Sequence, residues 1–265
     1  MEIKYNQNDL SISFLRTHED FTLNHTHTKD EYEIYYLFSG ERNIFINDNT
    51  YLLTAGSLAV LDASKMHRIF SLIPMPHQRT LICIDKNSEA FSRYFSELED
   101  AFVLQLSRAA QQEAESLLML INYELKLPDK HSKANINALI TCFLTLICRN
   151  SSSTAKPVYY SRMNHVTRYI NDNYNAHIDI KQMAKISGLS VSYFANVFKS
   201  TTGFTFIEYL NLIRVQKAAG LLESTQLPMS KIAFLTGFTN QSYFGKVFKE
   251  ITNMPPLTYR KLHNK

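Results

Sequence analysis

Two sets of side chains in the last third of the sequence have the chemistry of polyanion recognition. Ser192, Ala195, Asn196 and Lys199 recur at the i, i+3, i+4, i+7 spacing that puts residues on one face of a helix. Fifty positions later Ser242, Gly245, Lys246 and Lys249 repeat the pattern. Small residues permit close approach, hydroxyl and amide groups bond to base edges and phosphates, and lysines neutralise phosphate. Neither set contains an acid. Ser190 precedes the first set, and Asn240 with Gln241 precedes the second, at the positions where helices would begin. This chemistry is binding, not bond making.

The elements that must present these faces are written twice. At an offset of 50, Tyr193 pairs with Tyr243, Phe194 with Phe244, Phe198 with Phe248, Thr202 with Thr252 and Tyr209 with Tyr259. At 49, Ala184 pairs with Ala233 and Gly188 with Gly237. Two copies of one supersecondary unit explain the repeat. Asp179 is predicted to cap a helix that Gly188 ends, because the turn needs positive φ, and Ser190 to cap a second helix to about Thr201. In the second copy Gly237 turns and Thr239 or Asn240 caps a helix to about Ile251. Phe194, Val197, Phe198 and Thr201, with their twins Phe244, Val247, Phe248 and Ile251, are the core faces. A helix, a short Gly turn and a second helix form a helix-turn-helix, whose second helix can enter a major groove.

These residues carry a family resemblance. Residues 160–261 resemble the DNA-binding domain of the AraC/XylS transcription regulators through Ile180–Gly203, Tyr209–Leu210, Arg214, Ala218, Leu221–Leu222 and Met229–Ile232–Ala233. Gly237–Phe238, Ser242–Tyr243–Phe244, Val247–Phe248–Lys249, Pro256 and Tyr259–Arg260 complete the match. Val191 and Gln241 stand where that family has Pro, Asn196 where it has Arg, and Asn253 and Pro255 where it has Gly and a small hydroxyl residue. The resemblance implies two helix-turn-helix units joined by a rigid helix, here Glu208–Leu222, that fixes their separation on one DNA face. A helix Arg162–Tyr174 opens this domain, and Arg214 is read as a structural ion pair rather than a phosphate contact.

Residues 3–85 read differently. Glu31–Phe38, Asn43–Ile46, Tyr51–Leu53, Leu58–Leu61, Ile69–Ile73 and Thr80–Ile84 are short apolar runs between Gly and Asn-Asp turns. Such strands form an antiparallel barrel or jelly roll. His25-x-His27, Glu33, Gly40 and His67 resemble the cupin barrel that AraC-type regulators carry as a ligand sensor. In metal-binding cupins two His, a Glu and a later His converge on a metal, and this donor set suits Mn, Fe, Zn or Ni. Here five residues separate His27 from Glu33, and Glu31 fits the cupin spacing better. The expectation is a metal-free pocket in which His25, His27, Glu33 and His67 hold a polar ligand. Tyr35 shares the strand face of Glu33. No cofactor is implied.

From Ser88 the period becomes helical: Phe91, Phe95, Leu98 and Phe102; then Ala114, Leu117, Leu118, Ile121 and Leu125; then Ile136 through Ile147. These helices pack as a core between themselves or form a dimer interface; on the second reading Leu117, Leu118, Ile121 and Leu125 are expected to include an exposed stripe that a homodimer covers. Residues 151–159 read as a linker between a 1–150 sensing and dimerisation domain and a 160–265 DNA-binding domain. Charge splits at the same place. Residues 156–265 carry 14 Lys+Arg against 5 Asp+Glu, and residues 1–155 carry 14 against 19. Only the basic part suits a polyanion. Cys83, Cys142 and Cys148 make no C-x-x-C and read as buried thiols of a reducing compartment. The first ten residues are too polar for a leader, and the longest apolar run, Leu139–Cys148, is too short for a membrane span. A cytoplasmic protein is expected.

The fold class expected is α+β: an N-terminal cupin-like barrel with a helical segment, then an all-α domain. The function expected is a ligand-responsive regulator, an activator of sugar or small-metabolite genes, with double-stranded DNA, a small polar ligand, a second copy and RNA polymerase as partners. A cupin metalloenzyme fused to a DNA-binding module and a constitutive dimeric DNA-binding protein remain open alternatives. No nucleophile–base pair, P-loop or dinucleotide fingerprint calls for an enzyme. The two reading faces differ, which generates a prediction. An amide pairs bidentately with adenine and a lysine favours guanine. Asn196 and its counterpart Lys246 should therefore prefer adenine and guanine respectively, in half-sites ~10 base pairs apart. Asn196→Ala should cost roughly 1–3 kcal/mol on the preferred site and relax preference at one base pair. Selection from random duplexes checks this; identical preferences from both proteins would leave Asn196 as a backbone contact.

Overall fold

The computed structural model describes residues 2–7, 9–17, 31–46, 48–63, 65–73, 75–96, 98, 102–152, 155 and 161–263. In chain order the elements are β1 (Glu2–Gln7), β2 (Leu10–Thr17), β3 (Glu31–Ser39), β4 (Arg42–Ile46), β5 (Asn49–Leu53), β6 (Ser57–Asp62), β7 (His67–Phe70) and β8 (His77–Asp85). Then come α1 (Ser92–Phe95), β9 (Phe102–Gln105), α2 (Arg108–Lys126) and α3 (Ser132–Asn150). The remaining helices are α4 (Ser161–Asn173), α5 (Ile180–Ser187), α6 (Val191–Thr202), α7 (Phe206–Ser224), α8 (Met229–Leu235), α9 (Gln241–Thr252) and α10 (Pro256–His263). The chain divides into two compact units, one drawn from residues up to Val158, the other holding Phe45–Thr50 and Tyr159–Lys265. Most of the expected linker, residues 153–154 and 156–159, lies outside the described residues.

The first unit is built on a six-stranded sheet in the order β1-β2-β8-β3-β6-β9, with β5-β4-β7 as a second sheet. The expected barrel is not closed among the described residues, because β1 and β9 remain the two edges of the large sheet. Alternation along β3 gives its faces opposite jobs. Ile34 and Tyr36 join Leu10, Ile12, Val60 and Ile82 in an apolar core with α2 and α3, while Glu33 and Tyr35 take the other face.

Three expectations are corrected here. The helix read across Phe91–Phe102 is only Ser92–Phe95; Phe102 starts β9, whose backbone pairs with Val60 of β6. The proposed exposed stripe of α2 is core: Leu118 and Ile121 are 0% exposed, and Leu117 and Leu125 pack partly buried on the same cluster. The stripe packs into the cluster shared by the sheet and α3, whose Ile136, Ile140, Phe143 and Ile147 belong to it. The side of α2 left to water carries Met119, Leu120, Tyr123 and Leu127 instead. The cysteines form no disulfide, but none is buried; Cys142 is exposed and the others are partly so.

The second unit repeats itself in detail. Asp179 and Ser190 cap α5 and α6, accepting from Gln182 N and Tyr193 N, and Asn240 caps α9, accepting from Tyr243 N. Phe194 meets Phe198 at 5.4 Å and Phe198 meets Tyr209 at 5.4 Å; the twin pairs Phe244–Phe248 and Phe248–Tyr259 stand at 5.5 and 5.4 Å. Thr202 Oγ1 donates to Phe198 O, and Thr252 Oγ1 to Phe248 O, both at 2.8 Å. Gly203 ends α6 at φ +78°, and Asn253 ends α9 at +58°, a left-handed conformation that Asn tolerates better than most residues.

α7 begins in a capping box formed by Thr205 and Glu208 and belongs to both cores. Its Phe206 and Tyr209 pack on Phe194 and Phe198, while Val215, Ala218 and Leu222 join Ile232, Phe244 and Phe248. Between those halves lies Arg214. The expected ion pair is replaced by a clamp on backbone: Nε donates to Tyr174 O at 2.8 Å and an Nη to Ala176 O at 3.0 Å. The carbonyls beyond the end of α4 have no helical donor, and a guanidinium supplies two in a fixed fork. Burial pulls the Arg214 pKa below its usual value. Gly237, at φ +81°, sits against this clamp, and a Cβ there would meet Tyr174 O at 2.6 Å. Gly188 has φ +69° but open space around it. Gly188→Ala should therefore cost only backbone strain, ~1–2 kcal/mol. Gly237→Ala should cost clearly more. Urea unfolding of the two variants checks the order, and equal losses would contradict the close approach.

Candidate functional site

The structure puts each predicted DNA-facing residue of the second unit on α6 or α9 or at their first turns. Ser190, Ser192, Asn196 and Lys199 are exposed, and Ala195 lies half-buried between them. On α9, Asn240, Gln241, Ser242, Lys246 and Lys249 are exposed. The faces stay in water because Phe194 and Phe198 of α6, and Phe244, Val247 and Phe248 of α9, occupy the opposite side. Two assignments acquire a second job: the Ser190 and Asn240 side chains accept the Tyr193 and Tyr243 backbone N–H groups. Lys246 lies 3.8 Å from Glu250 across one turn, with both side chains largely exposed. Such a pair contributes little and is easily exchanged for a phosphate.

Sequence reasoning passed over Tyr193 and Tyr243. They are 59% and 41% exposed, one residue along from Ser192 and Ser242. Asn211 of α7 donates to Tyr243 Oη at 3.2 Å. Their repetition in both copies at partly exposed positions was the available signal.

In the first unit the structure brings Glu33 and His67 together. His67 Nε2 lies 3.3 Å from Glu33 Oε2, both residues being at most 2% exposed, and Nδ1 lies 2.9 Å from Lys65 O. β3 and β7 are in different sheets, so this contact closes one over the other. Tyr35 occupies the same face as Glu33, opposite Leu81 of β8. His25 and His27 lie outside the described residues. Glu31, Glu33 and Cys83 each offer a ligand atom within 4.8 Å of the others, a carboxylate–thiol group that could hold a metal ion. Its thiol departs from the histidine-rich cupin set. Missed in the sequence were Arg42 and Arg79, 1% and 3% exposed. Arg79 alternates with Leu81 and Cys83 along β8, and a cation in the inward row of an apolar strand was the available signal.

Comparison with known proteins reads the same division. Residues 11–122 match the AraC-like ligand binding domain and residues 183–262 a helix-turn-helix domain. The chain belongs to the AraC/XylS family. Relatives of this regulator align along most of its length. The HTH-type transcriptional activator RhaR of Mannheimia succiniciproducens is 24% identical over 243 residues, 88% of this chain and 86% of its own. The Msm operon regulatory protein of Streptococcus mutans is 25% identical over 88% of this chain and 85% of its own. Among solved structures, an apo ToxT variant of Vibrio cholerae is similar over 98% of this chain and 99% of its own, at 17% identity and TM-score 0.43. As a DNA-binding transcription regulator of this family, the chain has α6 and α9 within the 183–262 match. Among the described residues no helix is long and apolar enough to cross a membrane.

The capping role of Ser190 and Asn240 is separable from the expected DNA-facing one. Ser190→Ala and Asn240→Ala should each lower unfolding free energy by ~1 kcal/mol. Ser192→Ala caps nothing and should stay within ~0.5 kcal/mol of the parent. Denaturant titration of the three variants decides, and an unchanged Asn240→Ala protein would deny the cap any energetic role.

Proposed function

We propose that the chain is a ligand-responsive activator that reads two successive major grooves with α6 and α9 and senses a small polar molecule, a sugar or related metabolite, in its first unit. The observation that carries this reading is the pair of duplicated, acid-poor exposed faces, Ser192–Asn196–Lys199 and Ser242–Lys246–Lys249, on a helical unit that matches a helix-turn-helix family. Support for the sensing half is the match to an AraC-like ligand binding domain over the residues that bury Glu33, Tyr35 and His67. RhaR, a named activator, supports the sign of regulation by likeness. RNA polymerase is then the further partner, and the cytoplasm the place of action.

A homodimer belongs to the same reading. The surface for it is the water-facing side of α2, where Met119, Tyr123 and Leu127 follow at four-residue spacing and are each 60% exposed or more. Matching helices from two copies would cover that side isologously.

DNA affinity of the full chain should fall with salt at a slope of about −0.9 per phosphate neutralised. Lys199→Ala should weaken all duplexes alike and reduce the slope by about one. Fluorescence anisotropy across a salt series measures both. An affinity indifferent to salt would remove the recognition faces assigned to α6 and α9.

A further inference from the structure

Tyr193 and Tyr243 are exposed at the same position of the two duplicated helices, and the spacing fixes where they stand around each axis. At about 100° per residue, Tyr193 lies about 60° beyond Asn196. It is thus on a flank, between the exposed face of Ser192, Asn196 and Lys199 and the buried face of Phe194 and Phe198. Tyr243 has the same place beside Lys246. Glu250 shares that flank about two turns further on, where Lys246 stands 3.8 Å from it. A helix lying in a major groove turns its front to the base edges. Its flanks pass the sugar–phosphate walls, because the groove is only ~12 Å wide. A long, stiff side chain on such a flank, ending in an O–H donor, suits a phosphate oxygen rather than a base edge.

The phenol of α9 is also held in place. Phe238, in the turn that precedes α9, meets the Tyr243 ring edge to face at 6.0 Å. From α7, Asn211 Nδ2 donates to Tyr243 Oη at 3.2 Å. A phenol oxygen that accepts one hydrogen bond keeps its own O–H to give. With Asn211 bonded on the α7 side, that O–H is left for the solvent side. Holding the ring beforehand lowers the ordering cost of a contact. The holding residue belongs to the helix shared by both cores, so the element that spaces α6 from α9 also orients this side chain.

Resting on the groove-reading assignment of α6 and α9 above, we infer that Tyr193 and Tyr243 donate their phenolic O–H groups to DNA phosphates on the groove walls, and that Asn211 is the positioning residue for Tyr243. A neutral donor on a phosphodiester oxygen neutralises no charge and releases no counterion. That separates both tyrosines from Lys199, whose loss lowers the salt slope.

The test uses the full chain and fluorescence anisotropy across a salt series. The probes are a duplex recovered by selection from random sequences and a scrambled duplex of the same length. Tyr193→Phe and Tyr243→Phe each remove one oxygen and should weaken both duplexes about tenfold, with the salt slope of the parent. Asn211→Ala should weaken both duplexes in the parent and change nothing in the Tyr243→Phe protein. The atoms removed lie at the surface, so Tm should hold in all three variants. Tyr→Phe proteins that bind as the parent does, that lose affinity for the selected duplex alone, or that show a lower salt slope would overturn the phosphate contact. An Asn211→Ala loss as large in the Tyr243→Phe protein as in the parent would remove the positioning role. A parent that binds neither duplex would end the groove-reading assignment itself; a parent that binds both, with Tyr→Phe variants unchanged, ends this inference alone.

Discussion

The helical unit depends on one buried cation. Arg214 sits midway along α7 and binds the Tyr174 and Ala176 carbonyls, which follow the end of α4. Those carbonyls lie past the last turn of α4 and have no helical donor. The same guanidinium lies 5.8 Å from the ring of Phe238, the residue after the Gly237 turn. One side chain therefore ties the helix that opens the unit, the helix shared by both cores and the turn of the second repeat. Because α7 also contributes Phe206 and Tyr209 to one aromatic cluster and Val215, Ala218 and Leu222 to the other, α6 and α9 are held at a fixed separation. A unit that reads two grooves at once requires such rigidity.

How much was legible depended on whether a signal was local. Caps, glycine turns and helical periods act within a few residues, and repetition doubled each of them. Asp179, Ser190 and Asn240 cap as their types demand, and the helix ends fall within about two residues of expectation. The exposed residues of α6 and α9 followed from the same periodicity. Arg214 was legible as structural, but not its partners, since backbone carbonyls forty residues away leave no trace in composition.

The first unit was harder for a physical reason. Its chemistry depends on which strands face each other, a non-local matter that alternation does not fix. Alternation placed Glu33 and Tyr35 on one face but could not say that β8 would bring Arg79 and Cys83 to it. The apolar stripe of α2 shows the limit from the other side. Periodicity identifies a face that must be covered and does not name the cover; α3 and the sheet of the same chain supplied it. Phe102 reads equally well as the next turn of a helix or the start of a strand, and pairing with β6 decided it.

The two duplicated helices α6 and α9 are near copies, yet one of them has a glycine at its centre. α6 has Ala195 where α9 has Gly245, and nothing lies within 4 Å of where a Cβ of Gly245 would be. No packing constraint excludes a side chain there, so glycine leaves α9 less helical by ~1 kcal/mol in intrinsic preference. Hydrogen exchange at the central amides of the two helices would read that difference. Of the two copies, α9 is therefore the one whose middle turn departs from helical geometry at the smaller cost.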